Sequence, residues 1–301
     1  MILARSLSAL VRSAAVLFAL VMLAANGVES AALQLTYRWQ DPALYALGIG
    51  AKQSELAFLY EGAEPAMRVF PTYAVIPTYE ACKALFEVVG GDFSGVVHGA
   101  QSIRLHKPFA PQGTLTTVGR VANVGDLKRM AQVIFATKTT DETGALVCET
   151  EWTIMYLLDG GYGGEPPPKS VRVRAPEREP DWVVREKTSP EQALLYRLSG
   201  DHNPLHADPK AAEKAAKVTE GRPILHGLCT YGFIGRAILA NECGGDPARL
   251  RALSGRFSKP VWPGDTIVTR GWREDGRVIV VAGTDEHPEE PVFTNAFAEV
   301  V

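Results

Sequence analysis

Residues 199–209 read SGDHNPLHADP and set a carboxylate, Asp201, an amide, Asn203, and an imidazole, His206, around an Asn-Pro turn. Pro204 breaks any continuous helix here, so the chain bends and Asp201 and His206 can converge instead of projecting along one face. A carboxylate beside an imidazole can polarise one water held between them, which is general acid–base chemistry. Two other readings of the loop stay open. Asp and Asn cap helices, so the cluster also fits an Asx-type cap carrying an incidental histidine. A zinc site would draw on Asp201, His202, His206, Asp208 or His226. Pro204 keeps His202 and His206 off a common helical face, and no cysteine lies close by in sequence to complete a tetrahedral set, so no metal is expected.

A second segment, GRPILHGLCTYG at 221–232, brings a chain turn straight into an apolar stretch, with Gly227 at its start. The first N–H groups of a helix lack intrahelical acceptors and carry the positive end of its dipole. A glycine there lets a substrate oxygen approach the N–H closely, which makes an oxyanion hole for a carbonyl becoming an enolate. An ordinary helix-start glycine is the competing reading. His226 reads as structural, a supporting donor at most.

The elements that position these residues occur twice. Arg104, Lys107, Pro108, Pro111 and Thr114 recur as Arg256, Lys259, Pro260, Pro263 and Thr266, each pair 152 residues apart. Leu44-Tyr45-Ala46-Leu47 recurs as Leu195-Tyr196-Arg197-Leu198 at a separation of 151. A shared offset at two landmarks is the mark of a tandem duplication. Each copy opens with a short helix, 41–48 and 190–199, followed by a longer apolar segment some 30 residues on. In the second copy that segment, 226–242, is too long and too little β-branched for a strand, and its Leu228, Tyr231, Ile234, Ile238 spacing fits a largely buried helix. Alternating strands follow at 266–272, 277–284 and 292–300, matched in the first copy by 115–124, 130–139 and 145–158. A helix followed by an antiparallel meander is an α+β layout, one long helix laid on a curled sheet. In the first copy the place of the acid–histidine cluster is taken by GIGAKQSELAF, so the cluster is not something the fold requires.

The predicted organisation is an N-terminal segment at 1–31, a first half at 32–160, a linker at 161–182 and a second half at 183–301. The Gly/Pro-rich run GGYGGEPPPKS at 160–170 marks the joint. Residues 1–31 carry Arg5 and Arg12, an apolar run from Ala14 to Ala25 and then small residues, the layout of a secretory signal, and the same layout fits an organelle-targeting segment or a mis-assigned start. Its twelve apolar residues fall short of the roughly 20 that span a bilayer, so no stable membrane span is expected. With 31 basic against 34 acidic residues there is no basic surplus for nucleic acid. Cys82, Cys148, Cys229 and Cys243 show no CxxC spacing and read as reduced thiols of an intracellular protein.

YRLSGDHNPLHADP followed by GRPILHGLCTYG resembles the signature of the MaoC-like family, and within it the (R)-specific 2-enoyl-CoA hydratases, or hydratase 2. The likeness extends to VVHGAQSIRLHKPF, GGYGG and RFSKPVWPGDT, over nearly all of 33–301. The resemblance implies a tandem (double) hotdog fold, α+β, in which each half wraps a long helix in a curved antiparallel sheet and only the second half keeps the hydratase motif. It implies hydration of trans-2-enoyl-CoA to (3R)-3-hydroxyacyl-CoA, without metal or organic cofactor. Asp201 and His206 would activate the water and shuttle its proton, Asn203 would orient the water or the pair, and the Gly227 N–H would bind the thioester oxygen. His98, Gly99, Lys128 and Phe257, with His202, Pro204 and Leu205, would contact substrate. Two departures from the family pattern stand out: AEKAAKVTEGRP lengthens the span between the two motifs, and Lys128 sits in GDLKRM where the family has a more Gly-rich turn. Alternatives on the same fold are a 3-hydroxyacyl-thioester dehydratase, a catalytically silent acyl-CoA-binding protein and a thioesterase. A homodimer in the peroxisome or cytoplasm is expected, although the chain ends AEVV, unlike the usual peroxisomal SKL.

Overall fold

The computed structural model describes residues 20–91, 95–169 and 172–301. Ten strands form one antiparallel sheet: β1 Leu33–Tyr37, β2 Val96–Leu105, β3 Gly113–Asp126, β4 Ala131–Thr140, β5 Leu146–Tyr156, β6 Trp182–Lys187, β7 Leu250–Phe257, β8 Thr266–Glu274, β9 Arg277–Thr284 and β10 Phe293–Val300. Their order is β1-β3-β4-β5-β2-β7-β10-β9-β8-β6, so the second half repeats the first in reverse. The halves join where β2 pairs with β7, with Ser102 opposite Ser254. Those two serines are related by the same 152-residue offset as the repeated motifs, which puts the pseudo-twofold axis of the duplication through this pair.

The six strands expected from alternation are all present. Strands β1, β2, β6 and β7 were not anticipated. They are short or interrupted by glycine, histidine and charge, so their period is weak. The tight connections fall where chain-reversing residues are available: Gly144 and Gly276 take φ values of 80° in the β4–β5 and β8–β9 turns.

Each sheet half wraps one helix. Helix α1, Gln40–Gly48, is followed in the first half by α2, Tyr79–Val89, whose Ala81, Cys82, Leu85 and Val89 are buried at helical spacing. The second half has the short helices α3 Gln192–Tyr196, α4 Pro209–Lys214 and α5 Ala216–Thr219, and then α6, Gly227–Glu242. Every residue of α6 from Leu228 to Leu239 is buried. That includes Arg236, whose guanidinium bonds Glu186 of β6, Glu55 and the Ile49 carbonyl of the first half. A buried cation is tolerable only when paired this fully, and the pairing ties the halves together behind the helix.

Two boundaries shift. Residues 20–31 of the expected N-terminal segment pack on the first half: Met22 and Ala25 are buried, and the N–H groups of Gly27 and Ser30 donate to the Val121 and Gly119 carbonyls of β3 at 2.8 Å. Arg5, Arg12 and the start of the apolar run lie outside the described residues. The linker ends at 181 because Trp182 opens β6. Its first residues fold back on the β3–β4 turn, where the Gly161 and Gly163 N–H groups donate to the Asp126 carboxylate.

Candidate active site

The SGDHNPLH segment leaves α3 through a 3-10 turn and reverses at Gly200, φ 123°, a backbone angle glycine adopts freely. Asp201 Oδ1 then accepts the Asn203 N–H at 3.1 Å, and Asn203 Oδ1 accepts the Leu205 N–H at 3.0 Å to cap the 3-10 turn Pro204–His206. The Asx cap is therefore real, and it is also what aims the carboxylate. Asn203, His202 and Pro204 are exposed, Leu205 is half-buried, and His206 turns inward. The longer span to the second motif folds into α4 and α5, reverses at Glu220 and Gly221 (φ 54° and 76°), and delivers the Ile224 carbonyl to His206.

That carbonyl accepts from His206 Nδ1 at 2.9 Å. Nδ1 therefore carries the proton, and Nε2 keeps a lone pair free to act as a base. Burial lowers the His206 pKa, with Asp201 opposing, so the ring is a neutral base at physiological pH. His226, the residue before Gly227, is no bystander. Its ring stacks on His206 at 3.8 Å, its Nε2 donates to the Asp201 backbone carbonyl at 3.2 Å, and burial followed by the neighbouring His206 pushes its pKa down to about 3. Asp201 is held ionised. Its burial alone would raise the pKa, but the neighbouring His226 and His206, the Tyr79 hydroxyl and the hydrogen bond from the Asn203 N–H together outweigh that and lower it.

Ligand atoms of Asp201, His206 and His226 lie within 4.8 Å of one another, a set able in principle to hold a cation. The two rings stack with only 28° between their planes, however, so their in-plane lone pairs run side by side and do not meet at one ion.

Gly227 is the first residue of α6, and its N–H, with that of Leu228, heads a buried sixteen-residue helix. A Cβ on Gly227 would sit 3.4 Å from the Phe257 ring, so Phe257 of β7 forms the wall beside the N–H. Phe257 meets the His98 ring at 5.1 Å, and His98 stacks on Trp152 at 4.8 Å with planes 8° apart. Gly99 is the extra residue of a β-bulge, since His98 pairs with Ile154 and Ala100 with Thr153. A side chain at Gly99 would meet Met155 at 2.8 Å. His98 donates from Nε2 to the Ala100 carbonyl at 3.0 Å, and burial pushes its pKa down to about 4. It is thus a neutral wall of the site.

Asp201, His206, Gly227, Phe257 and His98 are brought together. Lys128 stands on the exposed β3–β4 turn at φ 72°, its N–H given to Asp126 at 2.7 Å, and it shares no hydrogen bond or ring contact with the cluster. Sequence reasoning missed Tyr79, Trp152 and the stacked role of His226. The adjacency of His226 to Gly227 was the available signal for the last, whereas Tyr79 and Trp152 arrive from the other half through tertiary packing alone.

Known proteins match this chain along its folded length. Residues 35–157 match the MFE-2 hydratase 2 N-terminal domain and residues 172–290 the MaoC like domain. The chain is 38% identical over 290 residues to 3-hydroxyacyl-thioester dehydratase Y of Mycobacterium tuberculosis, covering 92% of this chain and 98% of that protein. It is 37% identical over 263 residues to the peroxisomal enoyl-CoA hydratase 2 of Arabidopsis thaliana, covering 81% and 84%. Among solved structures, a MaoC-like dehydratase from Phytophthora capsici superposes with a TM-score of 0.81 at 33% identity, covering 92% of this chain and 96% of that one. A Mycobacterium tuberculosis protein described as a double hotdog fold shares the fold, at a TM-score of 0.56 and 16% identity over 91% of this chain and 94% of that one.

Proposed function

The chain belongs to the MaoC-like hydratase 2 family, a double hotdog hydro-lyase, and we propose that it adds water across the double bond of a trans-2-enoyl-CoA to give (3R)-3-hydroxyacyl-CoA. The observation that carries this reading is the ionised Asp201 beside a neutral His206 whose Nε2 is free, with the N-terminus of α6 heading the same site. Water is a poor nucleophile at neutral pH, so His206 takes its proton as the oxygen attacks C3, and Asp201 orients the water and stabilises the imidazolium. The electron pair moves onto the thioester oxygen, where the Gly227 N–H and the helix end receive it. The proton held by His206 then passes to C2, and one water has been consumed. Asn203 serves by capping the loop, and His98, Gly99 and Phe257 wall the space beside Gly227. Lys128, His202, Pro204 and Leu205 are proposed as outer substrate contacts on exposed or half-buried loop positions.

The test is loss of enoyl absorbance when the purified protein meets short- and medium-chain trans-2-enoyl-CoA, with the product read by stereospecific 3-hydroxyacyl-CoA dehydrogenases. (3R) product supports the reading. No loss of absorbance with the fold intact would replace it with a binding protein, and release of free thiol with a thioesterase.

A second reading, 3-hydroxyacyl-thioester dehydration by the same residues in reverse, is favoured by the name of the Mycobacterium tuberculosis relative. Comparing CoA with acyl-carrier-protein thioesters in both directions separates the two. The proposal extends to a homodimer, for which the exposed Leu47, Leu194 and Leu198 offer apolar surface, and light scattering of the purified protein checks it. It extends also to an intracellular site, peroxisome or cytoplasm, supported by the peroxisomal relative and four free cysteines and tested by imaging the tagged protein in cells. Among the described residues no helix is long and apolar enough to cross a membrane.

A further inference from the structure

One buried side chain stands against every group the reaction uses. His226 closes the turn into α6, a place filled by Ser, Thr, Asp or Asn when the task is to cap the helix. Among the described residues its side chain makes no capping bond, and its buried Nδ1 has no hydrogen-bond partner. In the first half the residue before α2 is Thr78, so the repeated fold does not ask for a histidine here. A buried imidazole with an orphaned nitrogen is destabilising, which makes it a poor choice for packing alone.

Its contacts fall on the three reacting groups. Nε2–H donates to the Asp201 backbone carbonyl at 3.2 Å, which pins the loop at the residue whose carboxylate must face the water. The ring lies on His206, centroids 3.8 Å apart and planes 28° from parallel, and also meets the buried Tyr196 ring at 4.9 Å. The Nδ1–H bond to Ile224 holds one end of the His206 imidazole but leaves the ring free to swing about that bond. The stack removes this freedom and so sets the direction of the Nε2 lone pair. The peptide bond of His226 runs to Gly227, whose N–H heads the helix. Burial keeps His226 neutral, so the charge His206 gains on taking a proton meets a π face and not a second cation.

We infer that His226 is a positioning residue of the hydration reaction, one side chain that fixes both the Asp201 backbone and the plane of the His206 ring against the start of the helix carrying the Gly227 donor. This rests on the assignment of Asp201 and His206 as the acid–base pair.

Three substitutions separate the contacts. His226→Phe keeps a ring for the stack and removes the N–H, His226→Gln keeps an N–H donor and removes the ring, and His226→Leu removes both. A misplacement of about 1 Å costs roughly 10² in rate, so kcat of His226→Leu should fall about a hundredfold, with KM little changed because no binding contact is removed. His226→Phe and His226→Gln should lie between, each about tenfold below the wild type. A folded His226→Leu enzyme with wild-type kcat overturns the inference, and so does a rise in KM at constant kcat. Equal losses in all three variants, following their melting temperatures, would mean that the residue only fills space, and overturn it as well. Should His226→Leu not fold, the other two decide: a fall in kcat at unchanged KM in both supports the inference, and wild-type kcat in both overturns it. Wild-type protein and Asp201→Asn run alongside: if the wild type hydrates no enoyl-CoA, the hydratase reading fails and takes this inference with it. If the wild type turns over and Asp201→Asn does not, unaffected His226 variants reject the inference alone.

Discussion

Asp201→Asn separates the chemistry of the carboxylate from its place in the fold. Asparagine has the same shape and keeps an oxygen for the Asn203 N–H, now 3.1 Å from Asp201 Oδ1. The loop should therefore stay closed, and exchanging charged for neutral hydrogen bonds costs about 1 kcal/mol of stability. Catalysis loses far more. The charge that stabilises a protonated His206 disappears, and because Asp201 is what opposes the burial-driven fall of the His206 pKa, the base also weakens. Removing a positioned acid–base group costs roughly 10²–10⁴ in rate. About 10³ is expected here, equivalent to about 4 kcal/mol on the barrier. The assay is kcat on a trans-2-enoyl-CoA at saturation, beside circular dichroism and thermal melting of the same sample. A natively folded Asp201→Asn protein within tenfold of wild-type kcat would refute the reasoning.

The buried histidines make acid stability predictable. His98 and His226 fall to about 4 and about 3 through burial, and His206 is lowered too, against an ordinary value near 6.5. The unfolded chain then binds more protons, so the stability is fully present above about pH 6.5 and is lost as pH falls towards 4, by about 1.4 kcal/mol per pH unit for each histidine. Urea midpoints flat between pH 7 and 5 would contradict this. Arg236→Met should cost about 3–5 kcal/mol, because it leaves Glu55 and Glu186 facing each other without their shared cation. A loss below about 1 kcal/mol in urea unfolding would show that the charges are satisfied by water instead.

How far the sequence could be read follows from which signals were local. The duplication was legible because Arg104/Arg256 and Lys107/Lys259 stand at one offset, and the fold places that offset on the axis through Ser102 and Ser254. The meander strands were legible from alternation. β2 was not, because its bulge at Gly99 breaks the period, and its partner β7 lies about 150 residues away with no local trace of the pairing. In the site, Asp201, Asn203, His206 and Gly227 stand in two short motifs whose turn chemistry announces them. His226 was undervalued because a stacked neutral imidazole differs from a packing histidine only by where its partner sits. Tyr79 is read only from the packing of one half against the other. The signal-like composition of the N-terminal segment hid the fact that Met22 and Ala25 are buried in the core.

The central claim is that one acid–base pair, on one face of the substrate, supplies both the hydroxyl at C3 and the proton at C2. Hydration run in deuterated water, with the product resolved by NMR, tests it directly. A single deuterium is expected at C2, on the same face as the new C3 hydroxyl, in a (3R) product. Deuterium on the opposite face, or a mixture of both, would mean that a group other than the Asp201–His206 pair delivers the proton.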